Sequence, residues 1–253
     1  MLVASLALVG ATRLGGQEAT DPHAVQPERP TVATHAGTVA RGWLEIEAGV
    51  ERDRFNPALT TGFTPTVFKF GLASHVQLSV SGSVVHNPGA TGLGDAGVGV
   101  KWRILDDARM LGDFAVLPSL KLPTGAANNG TGTGTTDASI LLISSHDLGP
   151  VSMDINAGYV RRSGDGSNAP RNATLWTISF GGPAAGHLGW TAECYGYPGT
   201  SGAAGQAPIV ALLGGPTFLV RKWLAVDAGL IVPLTGPQAH ALYAGAVYNV
   251  GRM

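Results

Sequence analysis

Apolar and polar residues alternate with a period of two along most of this chain, and that pattern limits the fold more than any other feature. In residues 76–84, Val76, Leu78, Val80 and Val84 share one face, while Gln77, Ser79, Ser81 and Ser83 share the other. In residues 95–104, Ala96, Val98, Val100, Trp102 and Ile104 oppose Asp95, Gly97, Gly99, Lys101 and Arg103. In residues 151–160, Val151, Met153, Ile155, Ala157 and Tyr159 oppose Ser152, Asp154, Asn156 and Gly158. Period two marks β-strands with one apolar and one polar face. Each segment runs about ten residues, the length a tilted strand needs to cross a bilayer.

Composition decides which medium the apolar faces meet. Charged residues make up 13%, about half the roughly 25% usual in soluble domains. Glycine accounts for 37 of 253 residues and the apolar fraction is 44%. A disordered chain would be poorer in apolar residues and richer in charge. A nucleic-acid partner calls for a basic chain or face, and the formal net charge here is -1. Cys194 stands alone, so an intramolecular disulfide and a cysteine zinc cage are excluded. The longest charge-free run, 194–220, is cut by repeated glycines and prolines and cannot form a spanning helix. A soluble sandwich would also alternate, but with a charged outer face. Here the apolar faces carry Phe68, Phe70, Trp102, Phe114, Tyr159, Trp176, Phe180 and Trp190, several near strand ends, as interfacial girdles do.

The pattern predicts a single-domain, all-β transmembrane antiparallel barrel over residues 42–253, with about twelve strands. They are placed near 43–51, 63–70, 75–85, 95–105, 113–122, 136–145, 151–161, 173–181, 187–195, 207–219, 224–231 and 240–250. The tenth is the weakest, because 209–213 is apolar on both faces and Pro216 interrupts it. Connections 71–74, 147–150, 182–186 and 220–223 are short; 86–94, 123–135, 162–172 and 196–206 are longer and rich in small polar residues. Short turns on one rim and long loops on the other match outer-membrane barrels, short side periplasmic. An even strand count puts both termini on that rim. Lipid offers the backbone no hydrogen-bond partner, and only a closed sheet satisfies every strand.

The first residues differ. Residues 2–11 (LVASLALVGA) form an apolar run of signal-peptide length, followed by small residues that allow cleavage after Ala11, Gly16 or Ala19. Residues 1–19 are therefore read as a signal peptide, although no basic residue precedes the run. Residues 20–41 have three prolines and no periodicity. They are expected to lie in the periplasm or to enter the lumen as a plug.

Several motifs resemble one outer-membrane family in order along the chain. GLGDAGVGVKWRIL (92–105) resembles its Gly-Leu-Gly-Asp strand ending in Lys-aromatic-Arg. Glu28-Arg29-Pro30, Gly42 and residues 45–49 resemble its Arg-Pro…Gly…Glu-x-Gly opening, and LKLPTG (120–125) its Leu-Pro-Thr-Gly strand end. Ala192-Glu193, Asp227-Ala228-Gly229 and GAVYNV (245–250) resemble later strand motifs. The family is the one named for the MetA pathway of phenol degradation, and the resemblance covers 28–250. It implies a membrane barrel with a transport role, tied by name to aromatic catabolism. Family chains tend to end in an aromatic residue read by barrel-assembly machinery; here Asn249 and Val250 stand instead, with Gly251-Arg252-Met253 beyond.

Chemistry-bearing motifs are sparse. Residues 92–97 match G-x-G-x-x-G, but a period-two strand follows where nucleotide binding needs a helix. The histidines fall near turns or in loops, without metal-ligand spacing or a nucleophile beside them. No enzyme, metal or cofactor is expected, and Cys194 is placed on the lipid face beside Ala192.

The candidate site is the set of inward charges: acids Glu45, Glu47, Asp95, Asp137, Asp154, Glu193 and Asp227, and bases Lys69, Lys101, Arg103 and Lys121. They either fill a narrow lumen as a structural network or line a constriction. Twelve strands fall between the filled ~8-strand barrel and the open ~16-strand porin. Loops 123–135, 196–206 and 233–239 carry no charge, which suits a neutral solute. Arg161, Arg162 and Arg171, with Asp165, are assigned to lipopolysaccharide phosphates. The expected function is passive passage of small, mostly neutral solutes, including aromatic or hydrophobic ones. The rival is a structural or adhesive barrel with a filled lumen.

Overall fold

The computed structural model describes residues 21–56, 59–167 and 169–253. The expected signal peptide and Thr20 lie outside the described residues. The strands are β1 (Trp43–Asn56), β2 (Leu59–Ala73), β3 (Val76–Asn87), β4 (Ala90–Leu93), β5 (Ala96–Ala108), β6 (Gly112–Leu122) and β7 (Asp137–Asp147). They continue as β8 (Ser152–Arg162), β9 (Asn172–Ala185), β10 (Leu188–Tyr197), β11 (Ile209–Arg221), β12 (Leu224–Thr235) and β13 (His240–Arg252). Each pairs antiparallel with its neighbour, and β1 pairs with β13 from Trp43↔Arg252 to Arg54↔His240, which closes the sheet. Both β4 and β5 pair with β3, so they form one stave broken at Gly94-Asp95. The barrel therefore has twelve staves, as the alternation predicts.

The two faces follow the predicted alternation. Val80, Val98, Val100, Trp102, Ile140, Leu142 and Ile155 point outward, each more than a third exposed, whereas Gln77, Lys101, Asn156 and Thr177 point inward and are buried. Outward aromatics gather toward the end of the barrel that carries the termini: Phe70, Trp102, Phe114, Phe180, Trp190, Phe218 and Tyr248. That end is called the terminal rim, and the opposite end the loop rim.

Three expectations need correction. Residues 52–62, expected as a connection, are mostly strand: β1 runs to Asn56 and β2 starts at Leu59. Alternation persists there, with Glu51 and Asp53 inward and Arg52 and Arg54 outward, but charge on both faces imitates a loop. Residues 86–94, expected as a long loop, form a tight hairpin in which Asn87 pairs with Ala90 and Gly89 takes φ 88°. Proline then glycine at the two central positions suits such a turn. Finally, β11 continues through Pro216. Its ladder to β12 lapses between Gly214 and Thr217, so the missing proline N–H breaks no bond on that side.

Candidate functional site

The lumen is occupied by residues 21–41, which enter from the terminal rim and circle the wall before β1 begins. The wall holds this segment chiefly by accepting hydrogen bonds from its backbone. The Gln26 N–H donates to Glu45 (2.8 Å), and the Glu28 N–H to Glu47 (2.7 Å). The N–H groups of Val32 and Ala33 donate to the two oxygens of Glu193, each at 2.8 Å. Thr34 donates to Asn156, Ala36 to Ser145 and Val39 to Gln77. A carboxylate facing a barrel interior thus satisfies main-chain donors that would otherwise be buried without partners.

Apolar contacts add to these tethers. Val25 packs with Leu219, Ala225 and Val247; Ala36 packs with Ala115 and Ile143; Val32 packs against Tyr195, Leu213, Ile231 and Tyr243. Wall glycines admit the segment. A Cβ at Gly71 would lie 2.0 Å from the Ala40 carbonyl oxygen, so only glycine permits that approach.

The eleven predicted site residues separate into three groups. In the central group, Lys69 lies 2.6 Å from both Glu45 and Glu47, and all three are buried. Lys101 lies 2.6 Å from Glu28 and donates to the carbonyls of His35 and Gly37. Asp227 pairs with Arg29 at 3.4 Å, Glu193 holds Val32 and Ala33, and Asp154 accepts from Ser145. At the terminal rim, Arg103 meets Asp106 (2.8 Å) and Asp113 (3.7 Å). At the loop rim, Lys121 lies between Asp95 (2.9 Å) and Asp137 (3.2 Å) and also bonds Thr133 and the Thr135 carbonyl.

Asp95 lies outside the strands and is held from several sides. Burial acts to raise its pKa. The hydroxyl and amide of Thr133, then Lys121 and the Gly125 amide, outweigh burial and hold it down at about 2.

The three arginines assigned to one lipopolysaccharide contact do not share a face. Arg162 points inward and lies 3.6 Å from Asp137, whereas Arg161 points outward and donates to Asn172. Several lumenal residues were not predicted. Glu28, Arg29 and His35 come from the segment without periodicity. Glu51 and Asp53 come from the end of β1, where charge on both faces imitates a loop. Tyr195, Tyr197 and Tyr243 lie toward the loop rim, with the rings of Tyr195 and Tyr197 edge-on at 6.1 Å. Parity places all three tyrosines inward: Tyr195 and Tyr197 share a face with Glu193, and Tyr243 shares one with Ala241 and Val247. Among the described residues, no group of His, Cys, Asp and Glu could hold a metal ion.

With this geometry in place, comparison with known proteins is informative. The COG4313 outer membrane channel from Pseudomonas putida F1 superposes with a TM-score of 0.65 at 11% identity, covering 89% of this chain and 99% of that one. NanC porin gives 0.54 at 13% identity, and KdgM porin 0.53 at 10%; each comparison covers 81% of this chain and 98% of the porin. These likenesses concern the fold. No curated protein sequence matches the chain significantly. The family model described as "Putative MetA-pathway of phenol degradation" matches residues 28–248, nearly the whole barrel together with most of the lumenal segment, and the chain belongs to that family.

Proposed function

We propose that the chain is a non-enzymatic outer-membrane channel for passive passage of small, mostly neutral solutes, aromatic or hydrophobic ones included. Both termini are periplasmic in this reading, 1–19 directs export, and barrel-assembly machinery inserts the chain. The family and the channel and porin folds of the structural neighbours support the channel class. One observation carries the solute preference. The lumen beside Val32 is lined by Tyr195, Leu213, Ile231 and Tyr243, while Lys69, Lys101 and Lys121 are each paired with carboxylates. Aromatic faces and aliphatic side chains favour a neutral ring. Paired charges offer little attraction to an ion.

A second reading is favoured by the segment itself. His35, Ala36 and Val39 are buried inside the barrel, as in a scaffold with a filled lumen. Planar-bilayer recording of the refolded chain separates the two. The channel reading expects discrete ion currents that catechol blocks at lower concentration than benzoate or benzylammonium. Absence of current from correctly folded protein would establish the structural barrel, and stronger block by either ion would overturn the neutral preference.

A further inference from the structure

The lipid-facing wall carries an arginine pair with no partner among the described residues. Arg52 and Arg54 point outward from β1, on the face opposite Glu51 and Asp53, and both are exposed. Among the described residues, neither makes an ion pair or hydrogen bond. Arg161, also outward and near the loop rim, is instead held by Asn172. An unpaired arginine on the outer face of a barrel costs ~2–4 kcal/mol at the bilayer midplane and ~0–1 near the interface. Arg54 is two residues and Arg52 four residues from the end of β1 at Asn56, so the pair sits toward the loop rim rather than at mid-strand.

The surroundings add shape. Arg54 pairs across the sheet with His240 on one side and Thr60 on the other, so three donors lie in one row. Arg52 pairs with Leu242, which pairs in turn with Leu230. Together these residues line an open groove on the outer wall. Leu242 is 67% exposed and Leu230 48%. Toward the midplane the same face continues as Val50, Ala244 and Ala228, an apolar row beside the leucines, with Ala48 and Ala246 in the next row. Cationic donors at the loop rim beside an apolar row complement an anionic lipid with a hydrocarbon chain. Residues two apart on a strand are about 7 Å from each other, so both guanidinium groups can reach one phosphate.

We propose that this groove at β1, β12 and β13 binds one phosphorylated lipid A headgroup of lipopolysaccharide. Arg52 and Arg54 take the phosphate, His240 and Thr60 donate at its edge, and an acyl chain lies along Leu242 and Leu230. The proposal rests on the outer-membrane reading above and assigns that membrane's outer-leaflet lipid a defined seat on the protein.

The test titrates refolded full-length protein in detergent with hexa-acylated bisphosphoryl lipid A, with the same lipid after dephosphorylation, and with inorganic phosphate. Native mass spectrometry counts the lipid retained. The expected result is one tightly held lipid A, with binding weakened about tenfold or more in the R52A/R54A variant and unchanged in Arg161→Ala. The dephosphorylated lipid and free phosphate should bind no better to the wild type than to that variant. Equal retention of lipid A by the wild type and R52A/R54A would overturn the site. Membrane fractionation of cells expressing both proteins tests the outer-membrane reading separately. Wild-type chain in the outer membrane that shows no arginine-dependent lipid retention defeats the seat alone. Chain absent from the outer membrane defeats the reading beneath it.

Discussion

The Arg29 guanidinium lies 3.4 Å from the Asp227 carboxylate, inside a notch formed by two glycines that face each other across β1 and β13. A Cβ at Gly49 would fall 2.4 Å from Arg29, and one at Gly245 would fall 2.3 Å from it. The pair thus joins the lumenal segment to the far side of the closing seam. Arg29→Ala removes this tether and leaves Asp227 without its partner. Gly245→Val should evict the arginine sterically. Both changes should raise single-channel conductance several-fold with the barrel intact, whereas unchanged conductance in both would show that the tether does not restrict the lumen.

Lys69 concerns stability. It is buried between Glu45 and Glu47, with Glu28 3.8 Å away. Lys69→Met strands these carboxylates, and removing one partner of a buried pair costs about 3–5 kcal/mol. Urea unfolding in lipid vesicles should show a loss of that order. A loss below about 1 kcal/mol would mean that water reaches the cluster.

The loop-rim network has a pH signature. Asp95 is depressed in the folded chain, so its contribution is complete above the ordinary carboxylate range near 3.8 and is lost as pH falls through about 2. Amide shifts of Gly125 and Thr133, both donors to Asp95, should hold constant from pH 7 to about 4 and move below that. In Asp95→Asn the same amides should be displaced at every pH and show no transition. A transition near pH 4 in the wild type would mean that the lysine and threonine contacts are not made in solution.

Lys121 distinguishes scaffold from selectivity filter at the same rim. Lys121→Ala leaves Asp95 and Asp137 facing each other without the intervening cation. If the cluster lines the conduction path, reversal potentials in a salt gradient shift toward cations. An unchanged reversal potential with intact conductance would confine Lys121 to holding the loop.

The face assignment is tested most simply on β3. Val80 is 40% exposed and points to lipid, while Ser81 points into the lumen beside Gly97. Val80→Arg should lower refolding stability by ~2–4 kcal/mol, and Ser81→Arg by much less. Equal losses would reverse the inside and outside of the barrel.

Most of the barrel could be read from the chain because lipid imposes one rule on every strand, and residues such as Val76–Val84 obey it locally. The rule loses force where a strand leaves the hydrocarbon. Arg52 and Arg54 sit outward at that boundary, and no hydropathy pattern separates them from loop residues. The inward charges were identifiable by parity, so Glu45, Lys69 and Glu193 were found. Their partners were not. Val32 and Ala33 meet Glu193 across more than 150 residues of chain, and nothing near Val32 announces that contact. The shape of the segment is written in the wall.

The wall grips that segment mainly through amide groups, and this bears on how its sequence can diverge. Residues 26, 28, 32, 33, 34, 36 and 39 donate their N–H groups to side chains of the barrel. Every residue except proline has such a donor, so most substitutions at these positions preserve the tether. The segment's own prolines, Pro22, Pro27 and Pro30, fall at other positions. Apart from Glu28 and Arg29, whose side chains pair with Lys101 and Asp227 of the wall, homologues can therefore exchange side chains along the inner segment, and with them the chemistry displayed to a passing solute, without redesigning the wall. The forbidden letter at the seven donor positions is proline, and its distribution among relatives would reveal the path of the segment through barrels never solved.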